Sequence, residues 1–311
     1  VVADGSGRPA KAGAGEDANL SSGSTGARGD DPGPLYSVRG VRERLEAAGL
    51  RPNHRLGQNF LCHGPIVEAV AAAAELDPGD AVLEVGAGLG VLTAELVKRV
   101  QRVVAVELDR SMCQLLATAP EVRGAELVCG DILSLDDRQL MLPAAGGPFK
   151  VVANIPYYLT TALLERILGA WRQCPLAVLM VQDEVARRLM AQPGNREYGL
   201  MTVFVQYHAR IELVRTVPPS AFWPRPAVQS AVIRLTRHAA PPVDADEETL
   251  LRLIAAAFGQ RRKQIRNSLA GPPLNLGRAA IDGALAAAGV DGTQRAEQLS
   301  LVELARLARS L

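Results

Sequence analysis

Ligand clusters are missing from this sequence. Its four cysteines (Cys62, Cys113, Cys129, Cys174) form no C-x-x-C pair, and its four histidines (His54, His63, His208, His238) form no pair at helical spacing. A zinc site is therefore not expected, no other metal is implied, and neither is a disulfide framework. Cys129, closing the run Glu126-Leu127-Val128, reads as core filler. Apolar runs long enough to span a membrane are also absent, as is the apolar segment of a signal peptide at the N-terminus. The expected setting is soluble, reducing and cytoplasmic.

Charge of one sign is lacking too. The net charge is +1, so the chain is not a polycation and any nucleic-acid contact must come from local patches. One patch holds Arg39, Arg42, Arg44, Arg51 and Arg55 against only Glu43 and Glu46; another is Arg261-Arg262-Lys263 with Arg266. Solvated helix faces often look the same, so neither patch alone establishes RNA binding. Residues 1–34 have no aromatic and contain 18 Gly, Ala or Ser, too little apolar surface to offset ordering entropy; a disordered extension is expected.

What the chain does have is 311 residues, 48% of them apolar, enough for one sizeable core and a smaller one. From residue 37 to about 237, helical spacing alternates with short β-rich runs. The runs are Ala81–Val85, Arg102–Glu107, Ala125–Cys129, Phe149–Ala153 and Leu176–Val181. Helical spacing covers Ser37–Leu50, Gly64–Leu76, Leu92–Val100, Arg110–Ala117 and Thr161–Trp171. Such alternation predicts a mostly parallel sheet with helices on both faces. Arg210–Val217 and Gln229–Leu235 have no helix between them and predict an antiparallel pair at one edge. Pro241-Pro242 and the acidic residues after it mark a boundary. Beyond it only helical stretches follow (Glu248–Phe258, Arg262–Leu269, Arg278–Ala288, Ala296–Ser310). The expected organisation is an extension over 1–34, an α/β domain over 35–240 and a small helical domain over 241–311, about seventy residues.

Two motifs carry chemistry. Ala81–Val85 runs into Gly86-x-Gly88-x-Gly90, where glycines permit positive φ and let backbone N–H groups approach a ligand. Glu107 follows 21 residues after Gly86, at the end of the next strand, where a carboxylate can accept both ribose hydroxyls. Asp131 ends the third strand and can reach the exocyclic amine of an adenine. The dinucleotide fingerprint would need glycine at Val91. Its absence disfavours NAD and fits a nucleoside cofactor without a pyrophosphate, such as S-adenosyl-L-methionine (SAM).

The second motif is Asn154-Ile155-Pro156-Tyr157 at the end of the fourth predicted strand, beside that crevice. The Asn154 side-chain oxygen and a backbone carbonyl, most simply that of Ile155, can accept both hydrogens of an exocyclic amine. The nitrogen lone pair then leaves ring conjugation. Pro156 fixes the backbone, and Tyr157 can stack on the base. The alternative is a strand-ending turn with a packed tyrosine. The order glycine turn, Asp131, Asn154 favours methyl transfer onto a base nitrogen.

With these motifs in order, the chain resembles the rRNA adenine dimethyltransferases over roughly residues 50 to 309. Gly57-Gln58-Asn59-Phe60-Leu61 is similar to the family's N-terminal signature, which implies that Asn59 and the Leu61 backbone touch SAM. Gln182–Leu189, Pro193-Gly194 with Tyr198-Gly199, and Phe222-x-Pro224-x-Pro226-x-Val228-x-Ser230 also match. Phe222 is implied to help cover the target adenine. The resemblance implies a Rossmann-like class I SAM-dependent methyltransferase fold, a seven-stranded mostly parallel sheet followed by a small all-α domain. Phe258-x-Gln260-Arg261-Arg262-Lys263-x-x-Arg266-Asn267 and Arg295-x-Glu297-x-Leu299-Ser300 look like the branch acting on small-subunit (16S) rRNA. Dimethylation of N6 on two adjacent adenosines near its 3′ end, in the immature subunit, by a monomer, is the implied activity. Ala87 stands where Pro is common and Ile155 where Leu is, the latter shared with the macrolide-resistance branch that modifies large-subunit rRNA. That branch, and a non-catalytic assembly factor of the same fold, are the rival readings.

Overall fold

In the computed structural model the described residues are 35–140 and 147–311. The extension expected over 1–34 lies outside them. Seven strands form one sheet: β1 Ala81–Val85, β2 Arg102–Glu107, β3 Ala125–Cys129, β4 Lys150–Asn154, β5 Leu176–Gln182, β6 Ala209–Val217 and β7 Ser230–Arg237. Their order across the sheet is β3-β2-β1-β4-β5-β7-β6. Pairings from β3 through β5 are parallel, and β7 runs antiparallel to both β5 and β6. The predicted mostly parallel sheet and the antiparallel pair are both present.

The central strands are apolar along their length because both faces are covered. Leu83, Val85, Val151, Ala153, Leu179 and Val181 face one core, and Val82, Val152, Val178 and Met180 the other. The first core takes in residues of Thr160–Glu165, Asp183–Leu189 and Leu200–His208; the second takes in residues of Val38–Ala47, Gly64–Ala73 and Val91–Leu96. Local signals set the helix starts. Ser37, Asp109 and Asp246 each accept a first-turn N–H, and Ser300 with Glu303 forms a capping box.

Several elements differ from the sequence reading. The helix expected over Thr161–Trp171 ends at Glu165 and continues as a π-turn over Arg166–Ala170. The Arg237 guanidinium donates to the carbonyls of Ile167, Leu168, Trp171 and Cys174 there, satisfying oxygens the widened turn leaves unpaired. The stretch Arg262–Leu269 is helical only over Ile265–Ser268, so the basic run precedes the helix. The last helix is Leu301–Arg309, preceded by a 3₁₀ turn at Ala296–Gln298. Helices Asp183–Leu189 and Leu200–His208 lie where the pattern gave no element. Two further strands, Phe60–Leu61 and Phe222–Trp223, pair antiparallel as a ribbon.

The helices from Glu247 onward enclose a core that also takes in Tyr198, Val203 and Tyr207. The described residues make one compact unit. Cysteine pairing corrects the expectation of no disulfide: Cys113 and Cys129 are bonded, while Cys62 and Cys174 are free and buried. Cys129 is exposed and is not core filler. Adjacent register places it opposite Glu107 on β2, whose carbonyl oxygen also lies 3.4 Å from Cys113 Sγ, a juxtaposition that chain spacing does not reveal. Among the described residues no helix is long and apolar enough to cross a membrane, and no cluster of three or more His, Cys, Asp or Glu could hold a metal.

Candidate active site

Chain order and sheet order part company at β1. From there the chain moves outward through β2 and β3, then returns to place β4 on the other side of β1. Ligands of open α/β sheets bind at the carboxyl ends of strands flanking such a reversal. Here those ends carry the glycine turn and Asn154.

Gly86, Gly88 and Gly90 have φ of 80°, 56° and 78°, a region L side chains rarely adopt. Gly86 N and Ala87 N donate to Val106 O at 2.9 and 3.1 Å, tying the turn to β2. A Cβ on Gly86 would lie 3.3 Å from Asn154 O, and one on Gly88 would lie 3.3 Å from the Phe60 ring. The turn is thus packed as closely as bare backbone allows.

Glu107 is nearly buried at the end of β2. Its Oε2 accepts from Gly88 N at 2.7 Å and its Oε1 from Asp109 N at 2.8 Å. Two amides hold the carboxylate in place, and each oxygen keeps a lone pair for a ligand hydroxyl. Burial raises its pKa, opposed by those amide donors. Asp131 is exposed; Oδ1 accepts from Leu133 N at 2.9 Å, and among the described residues no hydrogen bond reaches Oδ2. Glu84, on β1, is 1% exposed, with no hydrogen-bond partner for Oε2. Burial, with the charge of Glu107 adding to it, pushes its carboxyl up to about 8.

On the opposite side the Tyr157 hydroxyl lies 2.7 Å from Ser230 Oγ, the fully buried first residue of β7. Burial raises the Tyr157 pKa, so the phenol stays neutral. Asn154 is half-buried, and its side-chain amide has no hydrogen bond to a described residue. The N-terminal segment closes the crevice. Gln58 Nε2 donates to Asp109 Oδ2 at 2.9 Å while its Oε1 accepts from Asn53 N at 2.8 Å, and Asn59 Nδ2 donates to Gly57 O at 3.1 Å. Leu61 pairs with Phe222, which is 2% exposed and forms wall rather than rim.

One cleft, with about 1220 Å³ of empty space partly open to solvent, unites these residues. Asn59, Leu61, Gly86, Gly88, Glu107, Asp131, Asn154, Ile155, Pro156, Tyr157 and Phe222 all line it. Its lining sets the glycine turn and the strand-end acids apart from the Asn154–Tyr157 segment, a division that suits a nucleoside cofactor and a base. The tightly packed turn and the two carboxylates at neighbouring strand ends fit the adenosyl part of SAM. Sequence reasoning gave no role to Glu84, Gln58, Leu108, Leu133 or Tyr158, which also line the cleft. Leu108 and Leu133 could have been found, since each lies within two residues of a predicted site acid.

The basic residues lie elsewhere and do not line the cleft. Arg262 and Lys263 are exposed, and among the described residues no hydrogen bond or ion pair engages either side chain. Arg261 lies 3.6 Å from Glu297, and Arg266 pairs with Asp282 at 2.9 Å. In the early patch Arg39 pairs with Glu43, Arg44 with Glu121, and Arg42 stacks over Trp223.

Known proteins resemble this chain in sequence and in fold. A family model described as ribosomal RNA adenine dimethylase matches residues 49–311. Ribosomal RNA small subunit methyltransferase A of Moorella thermoacetica is 42% identical over 87% of this chain and 95% of its own length. The protein of the same name from Pelotomaculum thermopropionicum is 43% identical over the same shares. Among solved structures, a dimethyladenosine transferase from Plasmodium falciparum superposes with a TM-score of 0.66 at 22% identity, covering 79% of this chain and 95% of that one. The 23S rRNA methyltransferase ErmE superposes with a TM-score of 0.62 at 29% identity, covering 81% and 99%. With the class I SAM-dependent methyltransferase sheet, the glycine turn and Asn154 in one cleft, and a family match over most of its length, this chain belongs to the ribosomal RNA adenine dimethylase family.

Proposed function

We propose that this enzyme dimethylates N6 of two adjacent adenosines near the 3′ end of small-subunit (16S) rRNA, using SAM, in the immature subunit and as a cytoplasmic monomer. The observation that carries the chemistry is Asn154, its amide unengaged at the end of β4 and its backbone oxygen against the Gly86 turn. The identities of 42% and 43% to small-subunit methyltransferases support the substrate assignment.

The residues divide the work. Gly86, Gly88, Glu107 and Asp131 hold the nucleoside end of SAM, with Asn59 and Leu61 closing over it. Bound there, SAM supplies a methyl group on a positively charged sulfur. Asn154 Oδ1 and the Ile155 carbonyl accept the two N6 hydrogens, which frees the nitrogen lone pair. Pro156 keeps that carbonyl in place. Tyr157, anchored by Ser230, offers its face to the base, worth about 1–3 kcal/mol. No strong base is required, because the nitrogen becomes acidic as it gains a methyl group and sheds its proton to water. Orientation does most of the work. Adenines inside a helix cannot enter this cleft, so the substrate is a loop whose bases swing out. The helical segment 241–311 acts as the rRNA-recognition domain, with Arg262 and Lys263 on phosphates and Arg261 and Arg266 beside them.

Tritiated methyl transfer to small subunits lacking these marks, followed by nuclease digestion and primer extension, tests this reading. Dimethyladenosine at two neighbouring positions is expected, and Asn154→Ala should abolish it while leaving SAM binding intact. Methylation of large-subunit RNA, or binding to the particles with no transfer, would overturn it.

A further inference from the structure

Tyr158 is the most exposed large apolar side chain of the described residues, at 62%, and it borders the cleft. No hydrogen bond to another described residue holds its hydroxyl. Its neighbour Tyr157 is different: half-buried and fixed to Ser230 on the base side. The Tyr158 ring turns the other way. Its Cδ1 and Cε1 lie 3.8 Å from where a Gly57 Cβ would stand, against the segment that covers the cofactor end. Asp131 and Glu107, the two acids assigned to adenine and ribose, border the same cleft, and their charges act on its hydroxyl. Leu108 and Leu133, 42% and 44% exposed, border the same cleft. An exposed aromatic ring in the same cleft as the two proposed nucleoside-binding acids, with apolar side chains beside it, is a surface that waits for a ligand to cover it.

Resting on the reading of the cleft as a SAM site, the geometry points to Tyr158 as a further cofactor-contacting residue, a cap that closes over the nucleoside half of SAM and governs release of the spent cofactor. Its position between the 57–61 segment and the strand-end acids supports contact with the nucleoside rather than with the target base, which lies on the Tyr157 side. Partial desolvation at the cleft, then the charges of Asp131 and Glu107, raise the phenol pKa, so the ring closes as a neutral group. Two methyl groups on each of two adenosines require four cofactor exchanges per RNA. The departure rate of S-adenosylhomocysteine therefore bears on completion of the mark.

The test uses the full chain and three variants of one property. Tyr158→Ala should weaken SAM binding in equilibrium dialysis about tenfold, the loss of one aromatic stack, and speed S-adenosylhomocysteine dissociation in stopped-flow by a similar factor. Tyr158→Phe should bind like the wild type, and Tyr158→Leu should fall between them. Because the side chain is exposed, thermal midpoints should agree among all four proteins, and small-subunit rRNA binding without cofactor should be unchanged. Unaltered SAM affinity in Tyr158→Ala would overturn the assignment. So would a loss of rRNA affinity with SAM binding intact, which would place the ring on the RNA. Failure of the wild type itself to bind SAM would instead overturn the cofactor reading beneath it.

Discussion

Alanine at Gly86 and at Gly90 should separate chemistry from folding, because the two positions share backbone strain but not surroundings. Their φ values are 80° and 78°, and forcing an L side chain there costs about 1–2 kcal/mol. At Gly90 the new Cβ would stand 2.6 Å from Val122 Cγ1 and 2.7 Å from Leu116 Cδ2, both fully buried. Overpacking of that kind adds about 1–3 kcal/mol, for a total of about 2–5 kcal/mol. At Gly86 the nearest atom is Asn154 O at 3.3 Å, so little is added to the strain, but the carbonyl displaced belongs to the proposed catalytic residue. At roughly 2 °C per kcal/mol for a domain of this size, Gly90→Ala should lower Tm by about 4–10 °C and Gly86→Ala by about 2–4 °C. Methyl transfer at 25 °C should respond in the opposite order. A misplacement of about 1 Å at a reacting centre can cost about 100-fold, so even part of such a shift in Gly86→Ala should lose activity beyond its stability loss. Differential scanning fluorimetry with a single-turnover methylation assay decides the matter. Wild-type turnover in Gly86→Ala, or activity falling in proportion to Tm across both variants, would refute the reasoning.

The Cys113–Cys129 bridge closes a sequence separation of 16 residues, which restricts the unfolded chain by about 3 kcal/mol; reduction, or Ser at both positions, should lower Tm by about 6 °C. Thiol titration of the denatured, unreduced chain should then find only Cys62 and Cys174, and all four reacting would disprove the bridge. Glu84, raised to about 8 by burial, keeps in the folded state a proton that the unfolded chain releases near its ordinary 4.5. Its contribution to stability is therefore fully present below pH 4.5 and is lost as pH rises to about 8, a change of roughly a few kcal/mol. Glu84→Gln should flatten urea-derived stability between pH 5 and pH 8, and an unchanged slope would remove Glu84 as the cause. Ala at Arg262 and Lys263 should reduce the slope of log K against log salt for rRNA binding by about 1–2 while leaving SAM binding alone. Filter binding across a salt series that gave the wild-type slope would exclude both from phosphate contact.

Strands were legible where burial on both faces left a continuous apolar run, as in Leu176–Gln182, and where glycine broke the run, as after Val85. The site was legible for a related reason. Its residues stand at strand ends, and strand ends are marked in the sequence by a change from apolar to polar. Pairing was harder to read. The ribbon of Phe60–Leu61 with Phe222–Trp223 is two residues long on each side, too short to show any period. The π-turn at 166–170 depends on Arg237, which arrives from about seventy residues away, and no local pattern announces it. Cys113 and Cys129 meet because β2 and β3 are neighbours in a particular register. Tyr158 received no role from the sequence, because two adjacent tyrosines look alike there and only the structure shows the second left exposed.

The reversed strand explains how one edge of the sheet supplies both halves of the cleft. Five parallel strands, from β3 to β5, deliver their carboxyl ends to that edge, with Glu107 on β2 and Asn154 on β4 flanking the glycine turn of β1. Beyond β5 a further parallel strand would also contribute its last residue. Because β7 runs the other way, its first residue, Ser230, pairs with Gln182 at the end of β5 and so comes to the same edge. There its hydroxyl meets Tyr157 and is cut off from solvent. A hydroxyl pair with one partner fully buried and the other half-buried holds an aromatic ring in one place, whereas a fully exposed pair would compete with water. The segment entering β7 is also the one that carries Phe222 and pairs it with Leu61. The antiparallel strand beside β5 thus does for the proposed base pocket what the glycine turn does for the proposed cofactor site: it converts a feature of topology into a fixed wall.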